Sequence, residues 1–290
     1  MTSPRVFTSA PLPFQGQKRN WTKDVRALLV KNLGDGTGWT IVDVFGGSGL
    51  LAHTAKRTCP KARVIYNDYD NFCARLSKVD ETNRILAGVH EVILRHSEGM
   101  PPPTRAKVVR LSDKAREAVL EYLGEFPGAD FSTIGRPLTH SARFPNTLDD
   151  LRATKQFYYP FRLRQYNPAG YLDGLEVVRE DYRALIGRVS PADDSGDRVL
   201  LLLDPPYTHT SAEGYDGSFT IADYMRLLCV RNVYFALFGS SKSQTLAVVD
   251  CLKEKAAESF PALARARHIK KNATLAASIG YVESLTTNLD

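Results

Sequence analysis

The run Asp204-Pro205-Pro206-Tyr207 follows directly on five uninterrupted apolar residues, Val199 to Leu203. An amino group on a heteroaromatic ring, such as that of adenine, is a poor nucleophile because its lone pair is delocalised into the ring. A catalyst must therefore localise that pair. The Asp204 carboxylate and the Pro205 backbone carbonyl can each accept one N–H, favouring a pyramidal nitrogen aimed at an electrophilic methyl group. Pro205 and Pro206 stiffen the turn so that both acceptors hold still. Tyr207 offers a ring on which an extruded base can stack, since a base inside a duplex cannot reach such a pocket. The bland alternative is a tight turn after a core strand, and four specific residues in that position weigh against it.

A second group, Asp43-Val44-Phe45-Gly46-Gly47-Ser48-Gly49, resembles a nucleotide-binding glycine turn at a first strand-to-helix junction. Glycines there let backbone approach a ligand closely. Asp68 ends the next strand, placed to accept hydrogen bonds from ribose hydroxyls. The turn lacks the basic residues of a phosphate-gripping loop and is not GxGxxG, so an adenosine-containing cofactor without phosphates fits better than ATP or NAD. His209, two residues past Tyr207, reads as a loop residue rather than a base. The four cysteines are far apart with no metal-ligand spacing, and no metal is expected.

These groups need elements to position them. Thr22 can cap a helix with Val25, Leu28, Leu29 and Leu33 at helical spacing and Gly34 as its stop. Trp39 to Phe45 reads as a strand, Leu50 to Lys56 as a helix, Arg63 to Tyr66 as a second strand, and Phe72 opens another helix. The Val199–Leu203 run marks a central strand buried on both faces. Thr220 to Asp223 forms a capping box opening a helix through about Leu228. Val233 to Phe238 is another strand, stopping at Gly239, and Ala264–Lys271 with Tyr281–Thr287 suits a closing antiparallel pair. The sum is an open α/β sheet.

Between Val89 and about Gly174 the alternation fails. Ser112 caps a helix using Ala115, Val119, Tyr122 and Leu123, and Phe131 to Leu172 looks irregular. That stretch carries Arg136, Arg143, Arg152, Lys155, Arg162 and Arg164 against Asp149 and Asp150. Interleaved are Phe131, Phe144, Phe157, Tyr158, Tyr159, Phe161, Tyr166 and Tyr171. A basic, aromatic insertion suits a nucleic-acid-facing module, with Arg143, Arg152, Lys155, Arg162 and Arg164 as candidate cations. A small subdomain with aromatics in its core and solvated charges explains the composition equally well.

Across its 290 residues the chain is 43% hydrophobic and 24% charged, ordinary for a folded globular protein. Its net charge of +6 allows a polyanionic partner without demanding one. No apolar stretch approaches a membrane span, and Met1 to Trp21 lacks a signal-peptide core, so a cytoplasmic protein is expected.

In motif content and order, the chain resembles the Dam-like group of DNA adenine methyltransferases found in bacteria and phages. That group orders its motifs as cofactor segment, glycine motif, target-recognition insertion and DPPY. Phe14, Gly16 and Lys18 in PFQGQK correspond to the amino-terminal motif, and the resemblance sets Lys18 facing the methionine carboxylate of S-adenosylmethionine. Phe45, Gly46, Gly47 and Gly49 match the FxGxG motif, Asn67-Asp68 the ribose site, and Asp181-Tyr182 a segment packing around the cofactor adenine. Asp43 and Asp204 join this cofactor set. Phe14 stands where some relatives have Tyr, and Arg136 to Tyr171 lacks the recognition pattern of the GATC-specific members. The resemblance implies a class I S-adenosylmethionine-dependent methyltransferase, a Rossmann-like seven-stranded α/β sheet with an inserted target-recognition domain. Residues 1–90 and 175–290 would form the catalytic domain and 91–174 the insertion. The implied activity is site-specific adenine-N6 methylation of double-stranded DNA, as in restriction-modification. The rivals are methylation of RNA adenine or of cytosine N4, a non-catalytic nucleic-acid-binding subunit, and a protein-glutamine methyltransferase, which would more usually show Asn in place of Asp204.

Overall fold

A computed structural model describes residues 5–96, 109–139, 144–159, 165–191, 196–206, 219–241, 245–255, 260–274 and 280–290. In chain order the strands are β1 (Trp39–Asp43), β2 (Arg63–Asn67), β3 (Val109–Arg110), β4 (Tyr158–Tyr159), β5 (Glu176–Val178), β6 (Arg198–Leu203), β7 (Tyr234–Ser240), β8 (Arg267–Thr274) and β9 (Gly280–Thr287). Seven of them form one sheet in the order β5-β2-β1-β6-β7-β9-β8. The first five run parallel, while β9 is antiparallel to both β7 and β8.

The chain divides into two compact units: residues 1–8, 18–70 and 172–290, and residues 9–17 and 71–171. The first holds the large sheet. Its central strands are apolar runs because both faces are covered, and in β6 every residue from Val199 to Leu203 is buried. Val42, Val44, Leu201, Leu203, Leu237 and Leu227 meet in one core cluster. The helix Thr22–Leu33 forms on the apolar spacing of Val25, Leu28, Leu29 and Leu33 and ends at Gly34, whose φ of 59° suits a residue without a side chain. Thr22 is the first helical residue rather than the cap, and its hydroxyl donates to the Arg19 carbonyl at 3.1 Å.

The second unit has its own core, in which Ile85, Val89, Val92 and Ile93 pack with Val119, Leu123, Ile134 and Leu151. It takes in the helices Phe72–Ser77 and Val79–Arg95 as well as the stretch from 91 onward, because the apolar stripe of Val79–Arg95 is buried in this core. Ser112 caps the helix Asp113–Gly124, accepting the Ala115 N–H at 3.2 Å. The stretch from Phe131 is more regular than its sequence suggests, with helices Phe131–Thr139 and Leu148–Ala153 and the short β3–β4 pair. Four of its aromatics, Phe131, Phe157, Tyr159 and Tyr171, are buried, so their faces are spent on packing.

Several strand limits also differ from the sequence reading, among them β2, which ends at Asn67, and β8, which spans Arg267–Thr274. β1 stops at Asp43, and β7 runs through Gly239 to Ser240, because those residues pair with Ser284 and Glu283 of β9. A partner strand overrides a glycine stop.

Candidate active site

The sheet reverses its winding between β1 and β6, the place where open α/β sheets leave a crevice outside the carboxyl ends of their strands. Asp43 closes β1 opposite Leu202, and Asp204 and Pro205 follow β6 directly. Lys18, the glycine turn, Asp68 and the Asp-Pro-Pro turn all belong to the first unit.

The glycine turn is held tightly. Gly49 N–H donates to the Gly46 carbonyl at 2.7 Å, Gly47 and Gly49 take φ of 48° and 71°, and the helix Leu50–Thr58 starts at once. A Cβ on Gly46 would lie 2.3 Å from Tyr66 Cε2 and 2.6 Å from the Asn67 carbonyl, so a bare backbone is required there. Tyr66, in turn, carries its hydroxyl 2.8 Å from the Gly47 carbonyl and 2.9 Å from Asp68 Oδ1. Asp68 is buried, with its N–H on the Val178 carbonyl at 2.8 Å. Asn67, missed as a positioning residue, joins three segments: its amide donates to the carbonyls of Val44 and Glu180 and accepts the Glu180 N–H, each at 3.0 Å.

Asp43 is 1% exposed. Its Oδ2 accepts the Ala52 N–H at 3.0 Å, tying β1 to the first turn of the helix, while Oδ1 has no partner among the described residues. Burial, reinforced by the charge of Asp204, pushes the Asp43 carboxyl up to about 7. An orphaned acceptor beside a glycine turn fits a nucleoside cofactor that brings donors of its own.

Asp204 is paired. Lys18 Nζ lies 2.6 Å from its Oδ2, with the two side chains 9% and 21% exposed. Burial holds the Asp204 carboxyl above the usual carboxylate range, an effect that Lys18 opposes and Glu283 adds to. Glu283 is fixed by Trp21 Nε1–H at 2.8 Å, with the Tyr281 hydroxyl 3.3 Å away. Tyr281 and Glu283 fall in YVESLTTN, which resembles the family's final strand, but neither they nor Trp21 stands out as a site residue in the sequence; the β9 register sets Glu283 opposite Ser240 and Lys271.

Phe45, Tyr182 and Phe219 form an aromatic wall, with ring centroids 5.3 to 5.7 Å apart. Asp223 anchors it from below, accepting the Tyr182 hydroxyl at 2.9 Å, Arg183 Nη2 at 2.6 Å and Arg226 Nη1 at 2.9 Å. Its other oxygen completes the capping box with Thr220, and these hydrogen bonds, the Thr220 hydroxyl first, hold its carboxyl far below the usual range. The Asp181 carboxylate caps the helix Tyr182–Val189, accepting the Arg183 N–H at 2.8 Å.

Phe14 and Gly16 belong to the second unit, where the Phe14 ring meets Phe72 edge-on at 5.6 Å. Of the candidate cations in that unit, Arg152 is exposed and pairs with Asp149 at 2.8 Å, and Lys155 is exposed. Tyr207, His209, Arg143, Phe161, Arg162 and Arg164 lie outside the described residues.

Taking the seven sheet strands in chain order as one to seven, their spatial order is 3-2-1-4-5-7-6, with the seventh antiparallel. With a glycine turn after the first strand and an acidic residue ending the second, this is the class I methyltransferase fold. A Haemophilus influenzae protein named "Putative methyltransferase" is 38% identical over 274 residues, covering 93% of this chain and 88% of that relative. The chain belongs to the methyltransferases. No family model matches it.

Proposed function

We propose that the protein transfers a methyl group from S-adenosylmethionine to the N6 amino group of an adenine extruded from DNA. One observation carries this reading: Asp204-Pro205-Pro206 stands at the carboxyl end of β6, beside the β1 glycine turn at the winding reversal. Bound S-adenosylmethionine would supply an electrophilic methyl on a sulfonium. The residues suited to hold it are Asp68 for the ribose hydroxyls, Gly46, Gly47 and Gly49 for close backbone approach, and the Phe45–Tyr182–Phe219 wall for a flat ring. Asp43 offers its free oxygen to an ammonium, and Lys18 offers a cation to a carboxylate. Asp204 and the Pro205 carbonyl then accept the two N–H bonds of the target amine, and Tyr207 offers a stacking face.

The DNA partner is supported by the basic composition of the second unit, where exposed Arg152 and Lys155 are suited to phosphate contact with Arg143, Arg162 and Arg164. The buried aromatics of that unit leave base stacking to others. The deciding experiment offers radiolabelled cofactor with duplex DNA, single-stranded DNA and RNA, followed by nucleoside digestion. N6-methyladenosine in the deoxy series is the expected product. Label appearing in RNA, or on cytosine, would replace the substrate assignment.

A further inference from the structure

The ion pair between Lys18 and Asp204 engages one oxygen of the carboxylate that the proposed reaction needs as an acceptor. Asp204 Oδ2 is held at 2.6 Å by an ammonium that is itself 9% exposed. The cation draws charge from the whole carboxylate, so the oxygen it leaves open is a weaker acceptor for the weakly polarised N–H of an aromatic amine than an unpaired carboxylate would be. Two further carboxyl groups bear on this pair. Asp43 closes β1 and feels the charges of both Lys18 and Asp204, and Glu283 on β9 adds its charge at Asp204. In those interactions Lys18 is the cation that acts on both Asp43 and Asp204. A donor built on an amino acid carries a carboxylate of its own. Brought close to Asp43, Asp204 and Glu283, that carboxylate requires a cation within reach, and Lys18 supplies it. Lys18 also lies 5.8 Å over the Phe238 ring, a soft face along which an ammonium shifts while keeping part of its favourable interaction.

We propose that Lys18 is a positioning residue that couples donor binding to substrate capture. It holds Asp204 in the donor-free protein and transfers its ion pair to the donor's carboxylate, freeing Asp204 for the target amine only once the donor is seated. The order of binding is thereby built into one side chain. This rests on the reading of Asp204 as the amine acceptor, and the test separates the two ideas.

The probe is a labelled duplex with adenine opposite an abasic site, a base already out of its pair and independent of target sequence, compared with the same duplex carrying purine, which lacks the amino group. The ratio of their dissociation constants reports capture of the amine. Without nucleoside the ratio should be near one; with S-adenosylhomocysteine it should rise to about tenfold, the scale of a good hydrogen bond to a charged group. With 5′-methylthioadenosine, which lacks both the carboxylate and the ammonium, it should stay near one. In Lys18→Met the ratio should no longer depend on S-adenosylhomocysteine, and Lys18→Arg should restore the dependence in part. The coupling is overturned if the wild-type protein already prefers adenine without nucleoside, or if 5′-methylthioadenosine acts as well as S-adenosylhomocysteine. If no preference for adenine emerges even with S-adenosylhomocysteine bound, Asp204 is not the amine acceptor and both readings fall. Should the Lys18 variants not fold, the decarboxylated analogue of S-adenosylhomocysteine, which keeps the ammonium, decides on the wild-type protein: a ratio near one supports the coupling, and a ratio of about tenfold overturns it.

Discussion

The buried carboxyl of Asp43 makes a definite statement about stability against pH. Its pKa in the folded protein is pushed up to about 7, from an ordinary value of 3.8. The folded state therefore keeps a proton that the unfolded chain releases between about pH 4 and about pH 7. Stability contributed by this group is fully present below pH 4 and lost as pH rises through 7. At about 1.4 kcal/mol per pH unit the window spans roughly 4 kcal/mol. Asp43→Asn removes the titration while keeping an oxygen for the Ala52 N–H. Urea unfolding at intervals from pH 4.5 to 8.5 should show the wild-type protein losing stability relative to the variant across the window, with the difference flat above it. Asp204 contributes with the same sign in both proteins, so the difference reports the Asp43 titration together with its coupling to Asp204. Parallel curves for the two would refute the reasoning, because they would mean that Asp43 is ionised in the folded protein at the same pH as in the unfolded chain.

Asp204→Ala should lower methyl transfer by at least 10²-fold, the scale on which one preorganised polar group acts, with calorimetric cofactor affinity changing far less; near-normal turnover would remove Asp204 from the chemistry. Gly46→Ala drives a methyl group into Tyr66 and the Asn67 carbonyl, so it should cost about 1–3 kcal/mol of stability and weaken cofactor binding; an unchanged melting temperature and affinity would mean the turn relaxes freely. Replacing Arg152 and Lys155 together should flatten the slope of log DNA affinity against log salt by about 0.9 for each phosphate that the protein no longer neutralises, leaving cofactor affinity untouched. An unaltered slope would make them solvated charges of a structural subdomain.

The parts of the fold that were legible in the sequence are those fixed by local pattern. Val199–Leu203 declares a strand buried on both faces, and Thr220 with Asp223 declares a helix start, because each signal is complete within a few residues. The helix Phe131–Thr139 was hidden by Gly135 and Pro137, which lower helix propensity. There the backbone is set by packing, since a Cβ on Gly135 would meet Pro145 Cγ at 2.3 Å. The site divides in the same way. The glycine turn and the Asp-Pro-Pro turn are contiguous motifs, whereas the meeting of Lys18, Asp43 and Asp204, and the clamp of Trp21 on Glu283, join residues far apart in the chain. Only the sheet order brings them together.

The position of β9 between β7 and β8 also fixes the order in which the sheet can be assembled during synthesis. A ribosome delivers β7 and β8 before the strand that joins them, so for a time β7 presents a bare edge and β8 has no partner. Unpaired edges invite pairing with other chains. The cations Arg267 and Lys270 along β8 thus discourage association twice over, on the waiting strand in the nascent chain and on the outermost strand of the finished sheet.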